Sequence, residues 1–253
     1  MEDFLNLIKF RPEPTGYIGA EREFFIRNEL GVIVPGVIRM LEALQSDVRF
    51  SPEVPACQIE DKLQFPVLTF DKFVQAIHAI EERYEYAKAQ TGLGRVLIEY
   101  APDTMPLDIY PDPRYQHFQE TKTREQLLAM CRIAATHFHI GCKDYHHMLK
   151  CYNAAIDSFD DMLAWCDYSG GKRIATYKQA TPYWRPGPID SLEHHYQIAC
   201  ERGYNMDIGN DHQLIRMTRY GTIELRMFGV APGLEEFFSL ARRVFEWSEK
   251  LPK

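Results

Sequence analysis

What this sequence lacks narrows it first. No stretch of the 253 residues approaches the ~20 consecutive apolar residues of a membrane span. The N-terminal MEDFLNLIKFRPEP carries acids early and has no charged-then-apolar signal pattern. Positive charge is not in excess. The net charge of −7 removes the electrostatic reason to expect nucleic acid or a membrane surface as partner, and leaves room for a small anionic ligand. None of the six cysteines (Cys57, Cys131, Cys142, Cys151, Cys166 and Cys200) forms a CxxC pair. They sit in apolar stretches, so reduced thiols and a cytoplasmic location are expected. Repeats, low-complexity tracts and long linkers are absent. So is any Gly-rich phosphate loop of Rossmann or Walker type, since GLGR at 92–95 has neither the spacing nor the context.

What is there is an ordered chain, 45% hydrophobic and 26% charged, able to bury one sizeable core. A single domain over residues 1–253 is expected. Aromatic and β-branched residues predict a strand over 16–28, and Pro35 precedes a predicted helix over 36–45. A strand lies within 54–70. The apolar period of Phe73, Val74, Ile77 and Ile80 predicts a helix over 71–92, with Asp71 as N-cap and Gly92 as its stop. A strand over 94–100 follows, then an irregular Pro- and Asp-rich loop over 101–115. A helix over 123–135 feeds a strand over 136–142. Beyond it come a long helix (144–167), a Gly/Pro/aromatic loop (169–189), a helix from Asp190 to Gly203, two strands within 212–228 turning near Tyr220–Gly221, and a terminal helix (233–250). Strands and helices without a βαβ rhythm predict an α+β fold with a largely antiparallel sheet.

Several of these strands carry charge where the alternation calls for one solvated face. In GAEREFF, Glu21 and Glu23 share a face. In THFHIGC, His137 and His139 do, opposite Phe138 and Ile140. In TIELRMF, Glu224 and Arg226 do, opposite Ile223, Leu225 and Met227. In EVPACQIE, Glu53 and Glu60 bracket Cys57 and Ile59. A solvated antiparallel face explains any one strand. Gathered in one sheet, these carboxylates repel unless cations neutralise them, and oxygen donors with imidazole suit Mg²⁺ or Mn²⁺. Arg226 beside Glu224 is suited to holding a phosphate on the same ions. These residue types fit ATP-dependent phosphoryl transfer and metal-dependent hydrolysis about equally. The doublets His146–His147 and His194–His195 on predicted helices read as surface or packing residues, and Asp157, Asp160 and Asp161 as a wet helix face.

In this order, GAEREFF, EVPACQIE, DPRYQ (112–116), THFHIG, YKQATPYWRPGP (177–188) and TIELRMF resemble the carboxylate–amine ligase family, also called glutamate–cysteine ligase type 2. The resemblance implies the glutamine synthetase-like catalytic fold: a curved, mainly antiparallel sheet with the site on its concave face and helices on its convex face. It implies an ATP-dependent ligase using Mg²⁺ or Mn²⁺ and amino-acid substrates, without nucleic acid or membrane, and a homodimer. Glu21, Glu23, Glu53, Glu60, His137 and Glu224 would be metal ligands. His139 would face the nucleotide, and Arg226 would stabilise the transferring phosphoryl group. Arg185, with Trp184 and Gly187, would belong to a substrate or nucleotide loop, and Arg216 would be a second anion contact. The chain departs from the family at Phe228–Gly229, where an Asp is frequent, and at DKL (61–63), where Asn and Thr are. The alternatives are a non-catalytic nucleotide-binding homologue, or a divalent-metal hydrolase or phosphotransferase on the same fold.

Overall fold

The ten-residue strand β1 (Ile18–Arg27) organises the architecture in this computed structural model, which describes residues 1–10 and 15–252. Part of the N-terminal stretch discussed above, 11–14, lies outside the described residues. Along β1 the side chains of Ile18, Ala20, Arg22, Phe24 and Ile26 are buried on one face, while Glu21, Glu23 and Phe25 take the other. The remaining strands are β2 (Phe50–Pro52), β3 (Gln58–Lys62), β4 (Gly94–Val96), β5 (Thr136–Gly141), β6 (Ile215–Met217) and β7 (Thr222–Phe228). They form one sheet in the order β2-β3-β1-β5-β7-β6, with β4 pairing the far end of β1, and every pairing is antiparallel.

The helices are α1 (Glu2–Leu5), α2 (Val37–Ala43), α3 (Phe70–Thr91), α4 (Pro113–Thr121), α5 (Arg124–Cys131), α6 (Tyr145–Asp157), α7 (Phe159–Leu163), α8 (Lys172–Ala180), α9 (Leu192–Arg202) and α10 (Leu234–Ser248). The apolar sheet face packs on α3 and α10, where Phe73 contacts Phe138 and Phe237. Burying each such side chain stabilises the fold by ~1.5–3 kcal/mol. A smaller cluster joins Phe25, on the carboxylate face, to Phe118 of α4 and Cys131 of α5. Helices therefore stand on both faces of the sheet, α4 and α5 being additional to those expected on one face. The cause is the apolar Phe25 just beyond the acidic stretch of β1.

Local chemistry accounts for the element ends. Thr69, not Asp71, caps α3, its hydroxyl accepting from Lys72 N at 3.4 Å, and Gly92 ends that helix in the left-handed region at φ 68°. Thr123 and Gln126 form a reciprocal capping box on α5. The helix expected over 144–167 breaks at Ser158 into α6 and α7. The stretch expected to be a loop over 169–189 contains α8, and the strand expected over 94–100 closes at Val96. His147 and His194 sit in the first turns of α6 and α9. Each ring accepts a backbone N–H through Nδ1, from Lys143 and Asp190 respectively, at 3.2 Å. All six cysteines are free, five of them buried. No helix among the described residues is long and apolar enough to cross a membrane.

Candidate functional site

Strand register brings the acidic residues together. Glu21 lies opposite His137 on β5 and Lys62 on β3, Glu23 opposite Glu60, and Glu224 opposite both His139 and Arg216. A register irregularity between Thr136 and Phe138 interrupts the β5–β7 ladder at His137. Glu53 lies just past β2, in the turn into β3, and reaches the same surface.

Three donor sets result: Glu21, Glu60 and His137; Glu21, His139 and Glu224; and Glu23, Glu53 and Glu60. Within each, the ligand atoms lie within 4.8 Å of one another. Glu21 and Glu60 are each shared by two sets. His137 Nδ1 is 3.5 Å from Glu21 and 3.7 Å from Glu224, and its Nε2 is 3.7 Å from Glu23. His139 Nε2 is 3.5 Å from Glu21 and is buried without a hydrogen-bond partner.

The electrostatics divide this cluster. Glu224 is fully buried, and burial opposes its charge. Arg216 Nε at 2.5 Å and Arg226 Nη1 at 3.1 Å outweigh that and hold it well below the usual carboxylate range. Glu21 is half-buried, and the adjacent His139 and His137 more than offset its desolvation, so its carboxyl is depressed. Burial pushes Glu23 up to about 7 despite Arg226 and Arg173. Burial and the nearby Glu21 push Glu60 up to about 7 against Lys62, which sits 3.2 Å away. Glu53 is raised well above its ordinary value by burial, then by Glu23 and Glu60. So many carboxylates ionise together only if further positive charge joins them. Oxygen donors with imidazole, plus the unpartnered His139 nitrogen, fit Mg²⁺ or Mn²⁺.

Clefts open on either side. One, of about 690 Å³, is lined by Glu23, Glu53, Lys122, Tyr177, His212 and Arg226 together with apolar Val54, Met130 and Ile133. Buried Arg226 Nε there has no partner. The other, of about 760 Å³, is lined by Glu21, His139 and Glu224 with three arginines, Arg114, Arg216 and Arg219. Arg216 is partly committed, because its Nη1 also donates to the carbonyls of Gly209 and Asp211.

Of the sequence-predicted residues, Glu21, Glu23, Glu53, Glu60, His137, His139, Arg216, Glu224 and Arg226 converge. Arg185 and Trp184 do not. Arg185 is exposed and pairs with Asp160 at 2.8 Å, while Trp184 packs on Phe159 beneath Lys178. The loop that holds them starts only after α8, so it falls outside the acidic surface. Sequence reading missed Lys62, although it follows Glu60 at the strand period of two. It also missed Arg173 of α8, whose guanidinium donates to the carbonyls of Ala134, Arg226 and Met227 and ties α8 to β5 and β7. An Arg that bonds only to backbone leaves no pattern in sequence. A separate buried cluster, Cys142, His147 and Cys151, also has donor atoms within 4.8 Å of one another. Both nitrogens of His147 are already engaged, however, by Lys143 N and by the Pro252 carbonyl at 2.8 Å.

No family model matches this sequence, and no curated protein matches it. Among solved structures, the fold is similar to part of a bifunctional glutathione synthetase from Pasteurella multocida, with a TM-score of 0.64 at 12% identity. The likeness covers 98% of this chain and 39% of that one, so the chain spans well under half the length of the protein it matches. At that identity the likeness is one of fold: an α+β architecture with an antiparallel sheet.

Proposed function

We propose that this chain is an ATP-dependent carboxylate–amine ligase of glutamate–cysteine ligase type, on a glutamine synthetase-like catalytic fold, acting as one catalytic domain. The observation that carries this reading is the set of three donor groups sharing Glu21 and Glu60, flanked by one cleft with three arginines and another with Arg226, Lys122 and a part-apolar wall. The cleft with Arg114, Arg216 and Arg219 suits a polyphosphate. The cleft with Arg226, Lys122 and a part-apolar wall suits an amino-acid carboxylate. The fold likeness to part of a glutathione synthetase is consistent with it.

A carboxylate resists attack by amines because its anion is a poor acyl donor. Transfer of the ATP γ-phosphoryl group to a carboxylate oxygen gives an acyl phosphate and ADP. The amine then attacks the acyl carbon, inorganic phosphate leaves, the amine proton is lost and an amide remains. Divalent ions held by the three donor sets would neutralise phosphate and carboxylate charge. The chain's own contribution is orientation and charge. Arg226, which lines the cleft, would face the transferring group, and Glu224 fixes the guanidinium by accepting from Nη1. Arg173 holds the backbone of Arg226 in place.

The test is a screen of amino-acid and amine pairs with Mg²⁺ and ATP, reading ADP release and the mass of the product. An amide product with stoichiometric ADP supports the ligase. Hydrolysis of amides without ATP, or phosphorylation of ADP by a phosphoguanidine, replaces it with the hydrolase or phosphotransferase. Nucleotide binding without product from any pair replaces it with a non-catalytic homologue.

A further inference from the structure

The cleft holding Arg226 continues past the carboxylate cluster. Lys122, Ala180, Thr181 and His212 line both it and a second, larger cleft of about 1020 Å³. The second cleft runs between α4 and the end of α9 and is lined by His117, Gln126, Tyr183, Arg202, Tyr204 and Asp211. Its carboxylate is already spoken for: Asp211 accepts from the backbone and side-chain amides of Gln213 at 3.1–3.2 Å. Its cations are not. Arg202 lies over the Tyr183 ring at 4.9 Å, and its buried Nη1 has no hydrogen-bond partner. Tyr204 OH is also buried without a partner. Lys122 stands at the neck and His117 on the wall.

We propose that the second cleft is a subsite for the distal, anionic part of an extended substrate, so that this chain prefers a short acidic peptide to a free amino acid as the acid it joins. This rests on the ligase reading for the reaction, but the binding preference stands on the cleft itself. The terminal carboxylate would lie by Arg226. The preceding residue would pass the neck at Thr181 and His212, and its acidic group would meet Arg202 and Lys122.

The test is calorimetry on the full chain with Mg²⁺ and ADP. It compares each free amino acid X with the dipeptide Asp-X. The expected result is an Asp-X dissociation constant about tenfold or more below that of X for at least one X. In Arg202→Ala the ratio of the two constants should fall toward one, and in Arg202→Lys it should be restored in part. The same ratio measured in His117→Ala gives a second reading from a different helix and should also fall. A ratio near one in the native protein, a ratio that Arg202→Ala leaves intact, or no binding of either probe overturns the subsite. ADP release from ATP, followed separately, tests the ligase. A peptide preference without ADP release keeps the subsite and removes the ligase, and ADP release with free amino acids and no peptide preference does the reverse.

Discussion

The carboxyl group of Glu99 fills the space into which a side chain at Gly229 would project. A Cβ at position 229 would overlap Glu99 Oε2 and approach the Cys166 carbonyl at 3.1 Å. Glu99 is buried, and its Oε1 accepts from Ser169 N. The absence of a side chain at position 229 is thus required by this packing. Gly229→Ala should destabilise the fold by ~1–3 kcal/mol through overpacking. Urea denaturation measures this. In the Glu99→Ala background the added cost of Gly229→Ala should shrink, and equal cost in both backgrounds would contradict the contact.

Divalent ions should stabilise this chain, and more so at pH 8 than at pH 6. Burial holds Glu23 and Glu60 at about 7. A carboxyl raised in the folded state favours folding at low pH, and that contribution is lost as pH rises through 7. Above 7 both groups are anionic and repel, and a bound cation relieves that repulsion. Below 7 each must first lose a proton, which weakens binding by up to about tenfold per pH unit per proton released. Thermal melts with Mn²⁺ or with chelator at the two pH values check this. Glu60→Gln, which removes a donor from two sets, should remove most of the shift.

Arg226→Ala should lower turnover by about 10²–10³-fold, and should also lower thermal stability because it leaves the buried Glu224 with Arg216 as its one remaining guanidinium partner. Arg226→Lys keeps charge without the paired donors and should recover only part. Steady-state ADP release on an active preparation reads both. Full turnover in either variant ends the assignment.

Arg22 faces away from the site, into the apolar layer, where it pairs with Asp61 at 2.7 Å and Glu81 at 2.8 Å and lies 4.9 Å over the Phe237 ring. This cross-strand pair sits between β1 and β3 in the same register that sets Glu23 opposite Glu60. Asp61→Ala should cost about 3–5 kcal/mol, because it leaves a buried guanidinium short of its partner. Arg22→Met combined with Asp61→Ala should cost less than Asp61→Ala alone, as chemical denaturation would reveal.

His195 is packed edge-on against Phe4, with its Nδ1 3.0 Å from Tyr145 OH. Burial, then the neighbouring His194, lowers it to about 4. The unfolded chain therefore binds the proton first, near the ordinary value of about 6.5. The stability this histidine contributes is complete above pH 6.5 and is lost as pH falls toward 4, by at most about 1.4 kcal/mol per pH unit. An NMR titration should find the His195 ring neutral at pH 5. His195→Gln should flatten the acid limb of the stability profile, and an unchanged limb would contradict the burial effect.

Much of the candidate site is legible in the chain itself because strand geometry is periodic. Glu21 with Glu23, His137 with His139, and Glu224 with Arg226 must share faces once each segment is extended, and this requires no knowledge of neighbours. Lys62 was readable by the same rule. The helices of strong apolar period, α3 and α10, were readable for a similar reason. Arg173 and α8 were not, since its helix lies in a Gly- and Pro-flanked stretch and its Arg bonds to backbone carbonyls contributed by distant strands.

By itself, the sequence determined which side chains leave each strand together, because the two-residue period is a property of the backbone. Only the tertiary structure decided that β1 runs between β3 and β5, which sets Glu21 against His137 and Glu23 against Glu60. It also decided that Arg185 stays at the surface while Arg216 and Arg226 close on Glu224. Strand order and register depend on long-range packing of the opposite face, where Phe24, Ile59, Phe138 and Leu225 are buried in one core, and no local pattern encodes which distant partner a strand will meet.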